Sequence, residues 1–395
     1  VPFRYRPVSG GRFSLAAEIH KSDWLRNFFN IPIQFSDTLH LKASVNAQGN
    51  TIDCELQAPK LFYGHRELRN VSALVETIDG RLHANASLRN MATERRGTDL
   101  QLDMWAGDNQ LQTVLHFDNH ASTQRLYGQL RSHVSFDETA DGKANAVLGL
   151  QRSQFHVGDT VFEIRPSTLT YSKKHLAIDN FYVGSDNQSI CLDGVVSTSP
   201  NDSITASLQH VNLPYILNLL NFHSVDFGGE ASGFAHIKQI FDKPSLNSQL
   251  RVDDFTLEDG RLGTLFAKAR WNASLGQIDI DAEARDTIGN NPMTAMPRTT
   301  IVNGYISPKR GDIDLNMRLH DTRAEFVGNI CSSVLNDFNV SASGNLRLWG
   351  SLKQLNLTGE VIAHGTAGVR PLGTTYALHN APIRLTQDAI LFEGD

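Results

Sequence analysis

The residue types that most often do chemistry are present in this chain, but they are dispersed. Fifteen histidines are spread along it, and none falls in an HxH, HExxH or Cys/His metal spacing. His223 and His236 flank the Gly228-Gly229 pair, where structural or solvated histidines are the simpler reading. Asp253-Asp254 would suit acid–base work on a sugar if both carboxylates met one bond. Neighbouring strand residues point to opposite faces, so the two converge only across a β-bulge. A turn-side pair before Phe255 is the plainer expectation. No GxSxG, P-loop or dinucleotide fingerprint occurs, and no helix follows the glycines at 228–233 to offer a phosphate its N-terminus. Trp105, Trp271 and Trp349 would stack on a sugar ring if they shared a surface, but an aromatic in an alternating stretch is usually core. Cys54, Cys191 and Cys331 are odd in number and far apart, which reads as small buried apolar residues rather than a disulfide framework or metal site. No catalytic residue, metal ligand or cofactor is assigned.

The elements that would position a site are strands. Leu100 to Met104, Ile204 to Leu208, Ile278 to Ala284 and Ile313 to Leu319 all alternate apolar with polar residues. Period-two alternation means one apolar and one wet face, and a half-wet strand belongs to an antiparallel sheet. Asp79-Gly80, Asp141-Gly142, Asp193-Gly194, Asp259-Gly260 and Asn303-Gly304 are primed-turn pairs, expected to join adjacent strands. Helix signals are confined to Leu213–Asn221, with Pro214 at a first helical position, and to Ser22–Asn30. Residues 286–298 read as a loop. With about 30 strands of ordinary length and almost no helices, the apolar faces must meet one another or line a trough. Closed sandwiches or barrels, a parallel β-helix and a half-open trough all fit the pattern.

Composition narrows the classes. The chain has 395 residues, a net charge of −6 and a mean hydropathy of −0.28. No run of 18 apolar residues appears, so no spanning helix is expected. No basic stripe marks a nucleic-acid partner. The chain begins at Val1 and stops in mid-pattern at Phe392-Glu-Gly-Asp395, as an excised piece of a longer protein would, with any anchor outside it.

A cassette is written twice. Ala231-Ser232-Gly233 recurs as Ala342-Ser343-Gly344, an offset of 342 − 231 = 111, and Ile237 and Leu246 meet Leu348 and Leu357 at the same offset. Leu262-Gly263-Thr264 recurs as Leu372-Gly373-Thr374 at 372 − 262 = 110, as though a turn had lost one residue. Gly229, Gly233, Gly263, Gly344 and Gly373 are therefore expected at turns and bends of a modular array.

Longer stretches carry a resemblance. They are Asp159 to Tyr171, Leu176-Ala-Ile-Asp-Asn-Phe181, Ile190-Cys-Leu-Asp-Gly-Val195, Val211-Asn-Leu-Pro214, Gly228 to Gly233, Phe255 to Gly263, Leu357-Thr-Gly-Glu-Val361, Leu372 to Tyr376 and Ala389-Ile-Leu-Phe392. Together they resemble the C-terminal part of the TamB proteins, the translocation and assembly module family, in its Bacteroidetes form. The resemblance covers residues 151–395, with related units near 228–284 and 340–392, and leaves 1–150 as a further meander of the rod. It implies an all-β fold: an elongated, twisted, mainly antiparallel sheet folded into a half-pipe (β-taco) with an apolar interior, as in AsmA-like and bridge-like lipid transfer proteins. It also implies a periplasmic rod with an inner-membrane anchor outside this fragment. The end missing here would meet an Omp85-type outer-membrane barrel. Implied roles are phospholipid movement between the membranes and help with outer-membrane protein assembly.

On that reading phospholipid acyl chains are the partner, and Ile278, Ile280, Ile313, Leu315, Met317, Leu319, Leu346 and Leu348 are the expected groove lining. Leu315→Asp is then expected to block transfer while leaving folding largely intact. Two alternatives stay open. One is a scaffold that binds barrel clients by strand addition. The other is a carbohydrate-active β-helix, which the hairpin turns and the wide repeat spacing disfavour.

Overall fold

The computed structural model describes residues 11–20, 33–35, 37–64, 66–91, 96–122, 125–138, 142, 144–215, 226–287, 298–330, 332–352 and 354–392. Its strands group into two compact units, Val1–Ser185 and Asp186–Asp395. The first holds β1 (Arg12–Ile19), β2 (Ile33–Phe35), β3 (Leu39–Asn46), β4 (Thr51–Tyr63), β5 (Arg66–Ile78), β6 (Arg81–Met91) and β7 (Gly97–Gly107). It continues with β8 (Gln110–Asp118), β9 (Leu126–Glu138), β10 (Ala144–Leu150), β11 (Ser153–Val157), β12 (Thr160–Ile164), β13 (Ser167–Ser172) and β14 (His175–Gly184). The expected boundary at residue 150 thus falls inside this unit, at the end of β10.

The second unit holds β15 (Ser189–Val196), β16 (Ile204–Asn212), β17 (Phe227–Lys238), β18 (Ser245–Leu257), β19 (Gly260–Asn272), β20 (Gln277–Asp286), β21 (Arg298–Ser307) and β22 (Asp312–Arg323). After these come a six-residue helix, α1 (Glu325–Ile330), then β23 (Leu335–Ser351), β24 (Gln354–Val369), a 3-10 turn (Arg370–Leu372), β25 (Thr374–Leu385) and β26 (Ile390–Phe392).

The fold is all-β and antiparallel. Every described pairing is antiparallel, and each joins strands that are neighbours or near neighbours in sequence. A parallel β-helix is therefore excluded for these strands. The departures from strict succession are broken strands. β9 carries both β10 and β11, which pair in turn with β13 and β12. The break between β12 and β13 falls at Arg165-Pro166, where proline has no N–H for the ladder.

The repeated cassette has a structural meaning that concerns bulges rather than turns. His210 and Asp321, 321 − 210 = 111 apart, both take positive φ, 45° and 47°. Each sits where the register slips, between β16 and β17 or between β22 and β23. Ser232 Oγ accepts the His210 N–H at 2.9 Å, and Ser343 Oγ accepts the Asp321 N–H at 2.8 Å. Ala231 and Ala342 lie opposite Val211 and Thr322, beyond each slip, and both are buried. So the Ala-Ser-Gly triplet is a cap for a bulge on the preceding strand. Ser343→Ala should strand a half-buried N–H at a cost of about 1–2 kcal/mol. Ser232→Ala, at the more exposed copy, should cost less. Urea denaturation of the two variants checks both the size and the order.

Several expected turns are mid-strand. Asn303-Gly304 lies within β21 and Asp193-Gly194 within β15, while Asp79-Gly80 does form the β5–β6 turn. A Cβ on Gly304 would come 2.0 Å from the Asp314 carbonyl oxygen, so glycine is required there by close strand approach and not by chain reversal. Gly233, Gly263 and Gly344 likewise lie inside β17, β19 and β23, and Gly229 lies at the register slip between β17 and β18. Only Gly373 of the five caps a turn, in the left-handed conformation. The Leu-Gly-Thr recurrence therefore does not mark equivalent positions. Residues 213–215 are helical; the rest of that expected helix, all of Ser22–Asn30 and residues 288–297 lie outside the described residues. Asp286 and Arg298, at the ends of the expected loop, belong to strands.

Candidate functional site

Cross-strand partners in an antiparallel pair share a face, so the register decides which apolar residues meet. Ile278 faces Ile306, which faces Ile313; Ile280 faces Gly304, which faces Leu315. Leu315 faces Leu348, Met317 faces Leu346, and Leu319 faces Gly344. All eight expected lining residues thus lie on one face of β20–β23. The same face runs back through Ala269, Leu250 and Leu208 to Ile190, and forward through Val361 to Ile383. The reverse face of β20 and β22 carries Asp279, Asp281, Glu283, Asp314, Asn316 and Arg318.

Sharing a face does not make these residues accessible. Ile313, Leu315, Met317, Leu319 and Leu346 are only 2–8% exposed, whereas Ile278, Ile280 and Leu348 are half-buried. An aspartate at 315 would be enclosed by packed neighbours, so the expectation that Leu315→Asp spares folding is corrected. One pair of hydroxyls on this face is matched across strands. Thr300 Oγ1 lies 2.9 Å from Thr322 Oγ1.

The first unit has a comparable apolar face with an uneven margin. Its register aligns Phe13 with Val45, Val45 with Ile52, Leu82 with Ala106, Leu111 with Val134 and Ala146 with Tyr171. Near the turns at 47–50, 79–80 and 173–174, Phe13, Leu15, Val45, Ile52, Leu82, Phe136 and Tyr171 remain 37–61% exposed. Toward the other strand ends Leu39, Ala58, Leu61, Phe162 and Ile164 are 2–9% exposed. There Phe155 stacks on Phe162 at 5.1 Å. Thr113 and Ser132, a facing pair on this surface, bond each other at 2.6 Å. The sequence-derived lining list missed this margin. Its only trace is the alternation at Phe13-Ser-Leu15 and Val45 to Ile52, interrupted by a turn.

The opposite face of the first unit is polar and cross-linked by charge. His83 lies 2.8 Å from Asp103 and 3.4 Å from Glu76, and the Asp103 contact raises its pKa. Trp105 stacks on His83 at 4.3 Å, with the Arg81 guanidinium 5.8 Å from its ring. The Arg125 guanidinium holds the Asp118 carboxyl down to about 2. These contacts tie neighbouring strands.

The other chemical candidates do not assemble. Trp105 is on the polar face of the first unit, Trp271 faces Ile278 on the apolar side of the second, and Trp349 faces Asp314 on its polar side. They form no platform. A bulge does sit at Asp253-Asp254, but Asp253 takes Arg251 at 2.8 Å and Asp254 takes Arg261 at 3.2 Å. Each carboxylate thus has an arginine beside it, Arg261 being shared with Asp286. His236 Nδ1 lies 3.0 Å from Thr205 Oγ1, and His223 is outside the described residues. Cys54 and Cys191 are free and half-buried rather than buried; Cys331 is outside the described residues. Among the described residues no cluster of His, Cys, Asp and Glu is set to hold a metal, and no helix is long and apolar enough to cross a membrane.

One element absent from the sequence expectations lies on the apolar face. Helix α1 sets Phe326, 3% exposed, among Ala231, Val252, Phe255, Leu262 and Ala284. These residues come from β17, β18, β19 and β20, so α1 reaches across the sheet from its own place between β22 and β23. Beside it, Asp286 is buried between Arg261 of β19 at 3.6 Å and Arg323 of β22 at 3.7 Å. An open cleft of about 370 Å³ flanks the helix, lined by Asn329, Asn336, Asp337 and Arg370 among others. In comparisons with known proteins, no family model, no curated protein and no solved structure matches the chain.

Proposed function

We propose that this chain is a lipid-conduit segment of a TamB-like periplasmic protein, in which phospholipid acyl chains lie along the apolar sheet face. The observation that supports this most is the margin of the first unit, where apolar side chains of β1, β3, β4, β6, β9 and β13 stay exposed on one face. Acyl chains covering such a row would be held by about 0.8 kcal/mol per buried CH₂. Side chains of similar character repeat from strand to strand, so no single position would hold a lipid more tightly than the next, which suits passage over storage. On this reading an Omp85-type barrel and an inner-membrane anchor would engage parts of the longer protein beyond this chain.

Ile52→Asp, Leu82→Asp and Phe136→Asp test the proposal at positions that are already exposed, where a charge costs little folding energy. Each is expected to abolish most photocrosslinking of vesicle phospholipid to the first unit while leaving the denaturation midpoint nearly unchanged. Undiminished crosslinking in all three would exclude the margin as a lipid surface. It would turn attention to a scaffold that acts by strand addition.

A further inference from the structure

We infer that helix α1 is a stopper, filling part of the apolar face with its own phenylalanine so that a lipid must displace it to pass. The inference rests on the lipid reading above and adds to it a point of control. Ala231, Val252, Leu265 and Ala284 face one another in register across β17–β20, which puts them on the apolar face. Phe326 packs on three of these residues, with Leu265 at the edge of the cluster. In amphipathic terms the helix presents to the sheet what an acyl chain would present.

The way α1 is held suits a part that can leave. Over the sheet its apolar anchor is Phe326 with a partly buried neighbour, Val327, while on its other side Gly328 lies close against Phe338 of β23. Polar holds add to these. Glu325 Oε2 accepts the Arg261 N–H at 3.3 Å, and Glu325 Oε1 lies 3.7 Å from Arg323. Asn329 Nδ2 donates to the Glu258 carbonyl at 2.6 Å. The seat itself is shaped for the helix. A Cβ on Gly260 would come 2.4 Å from the Phe326 backbone nitrogen, so only glycine at 260 lets the helix lie this close. A six-residue helix has little stability of its own. Docked, it is kept by these contacts; undocked, it would leave an apolar seat of the right chemistry for methylene groups.

Three variants release the helix by different routes. Phe326→Ala removes the plug, Asn329→Ala removes a polar hold, and Gly260→Ala pushes the helix off its seat while leaving every side chain of the helix in place. Benzoylphenylalanine at position 265 reports lipid beside the seat, and at position 136 it reports the exposed margin of the first unit. The probe is vesicles of phosphatidylethanolamine and phosphatidylglycerol. Labelling at 265 is expected to rise by roughly tenfold in the released variants, corresponding to about 1.4 kcal/mol of lost docking, with labelling at 136 unchanged. If Phe326→Ala fails to fold, the other two carry the test. Unchanged labelling at 265 in folded variants, with 136 still labelled, overturns the stopper and leaves the lipid reading standing. No labelling at either position in any protein overturns both.

Discussion

Replacing Leu315 with aspartate is expected to destabilise the second unit by roughly 3–5 kcal/mol, the cost of an enclosed charge without a partner. Leu315 lies between Gly304 of β21 and Leu348 of β23, flanked along β22 by Ile313 and Met317, and is 8% exposed. The carboxylate would have neither water nor a cation. Protonation offers an escape, so the loss should shrink as pH falls toward the range where a buried carboxyl binds its proton. Asn316→Asp, one residue along on the exposed face, is the control and should change stability by less than about 0.5 kcal/mol. Urea denaturation followed by tryptophan fluorescence compares the two, since Trp271 and Trp349 both belong to this unit. Equal midpoints for the two variants would mean that β22 is not enclosed.

Gly344→Ala should be nearly as damaging, for a steric reason. Gly344 takes φ of 153°, and a Cβ there would come 2.3 Å from the Glu360 carbonyl oxygen and 2.7 Å from the Val361 Cα. Both contacts are backbone, so no rotamer change relieves them, and β24 would have to move. Backbone strain and overpacking together set the expected loss at about 2–5 kcal/mol. Gly311→Ala separates the two causes. Gly311 also has positive φ, 69°, but nothing lies within 4 Å of its would-be Cβ. Its variant should lose only the left-handed strain, about 1–2 kcal/mol. If both alanines cost the same, close strand approach is not what selects glycine at 344. Gly233, where a Cβ would come 2.1 Å from the Gln249 carbonyl oxygen, should behave like Gly344 because it holds the same place in the earlier cassette.

The strands and their faces were legible in the sequence because alternation is a local property. Residues two apart point the same way whatever the rest of the chain does. Ile278-Asp-Ile280 and Ile313-Asp-Leu315 therefore mark β20 and β22 and the apolar side of each. Glycine pairs were less reliable. Asp79-Gly80 and Asn303-Gly304 look alike in sequence, yet one reverses the chain and the other lies mid-strand. Both exploit glycine's missing Cβ, one for a left-handed turn and one for a neighbouring strand that passes too close. Nothing within a few residues tells these apart. The Ala-Ser-Gly cassette shows the same division. Its recurrence was plain, but its purpose, to cap the bulges at His210 and Asp321, involves partners 22 positions away.

An all-β chain of antiparallel hairpins, each strand with an apolar and a polar side, follows from side-chain periodicity and short-range turns, and so is written in the residues themselves. Which apolar residues of each unit stay open is instead a matter of long-range packing. The exposed margin from Phe13 to Tyr171, the enclosed row along β22 and the phenylalanine of α1 seated over Gly260 depend on how strands curl and what packs over them. Those contacts join residues as far apart as Glu258 and Asn329, 71 positions along the chain. Periodicity assigns a residue to a face; burial depends on what the rest of the chain brings against that face.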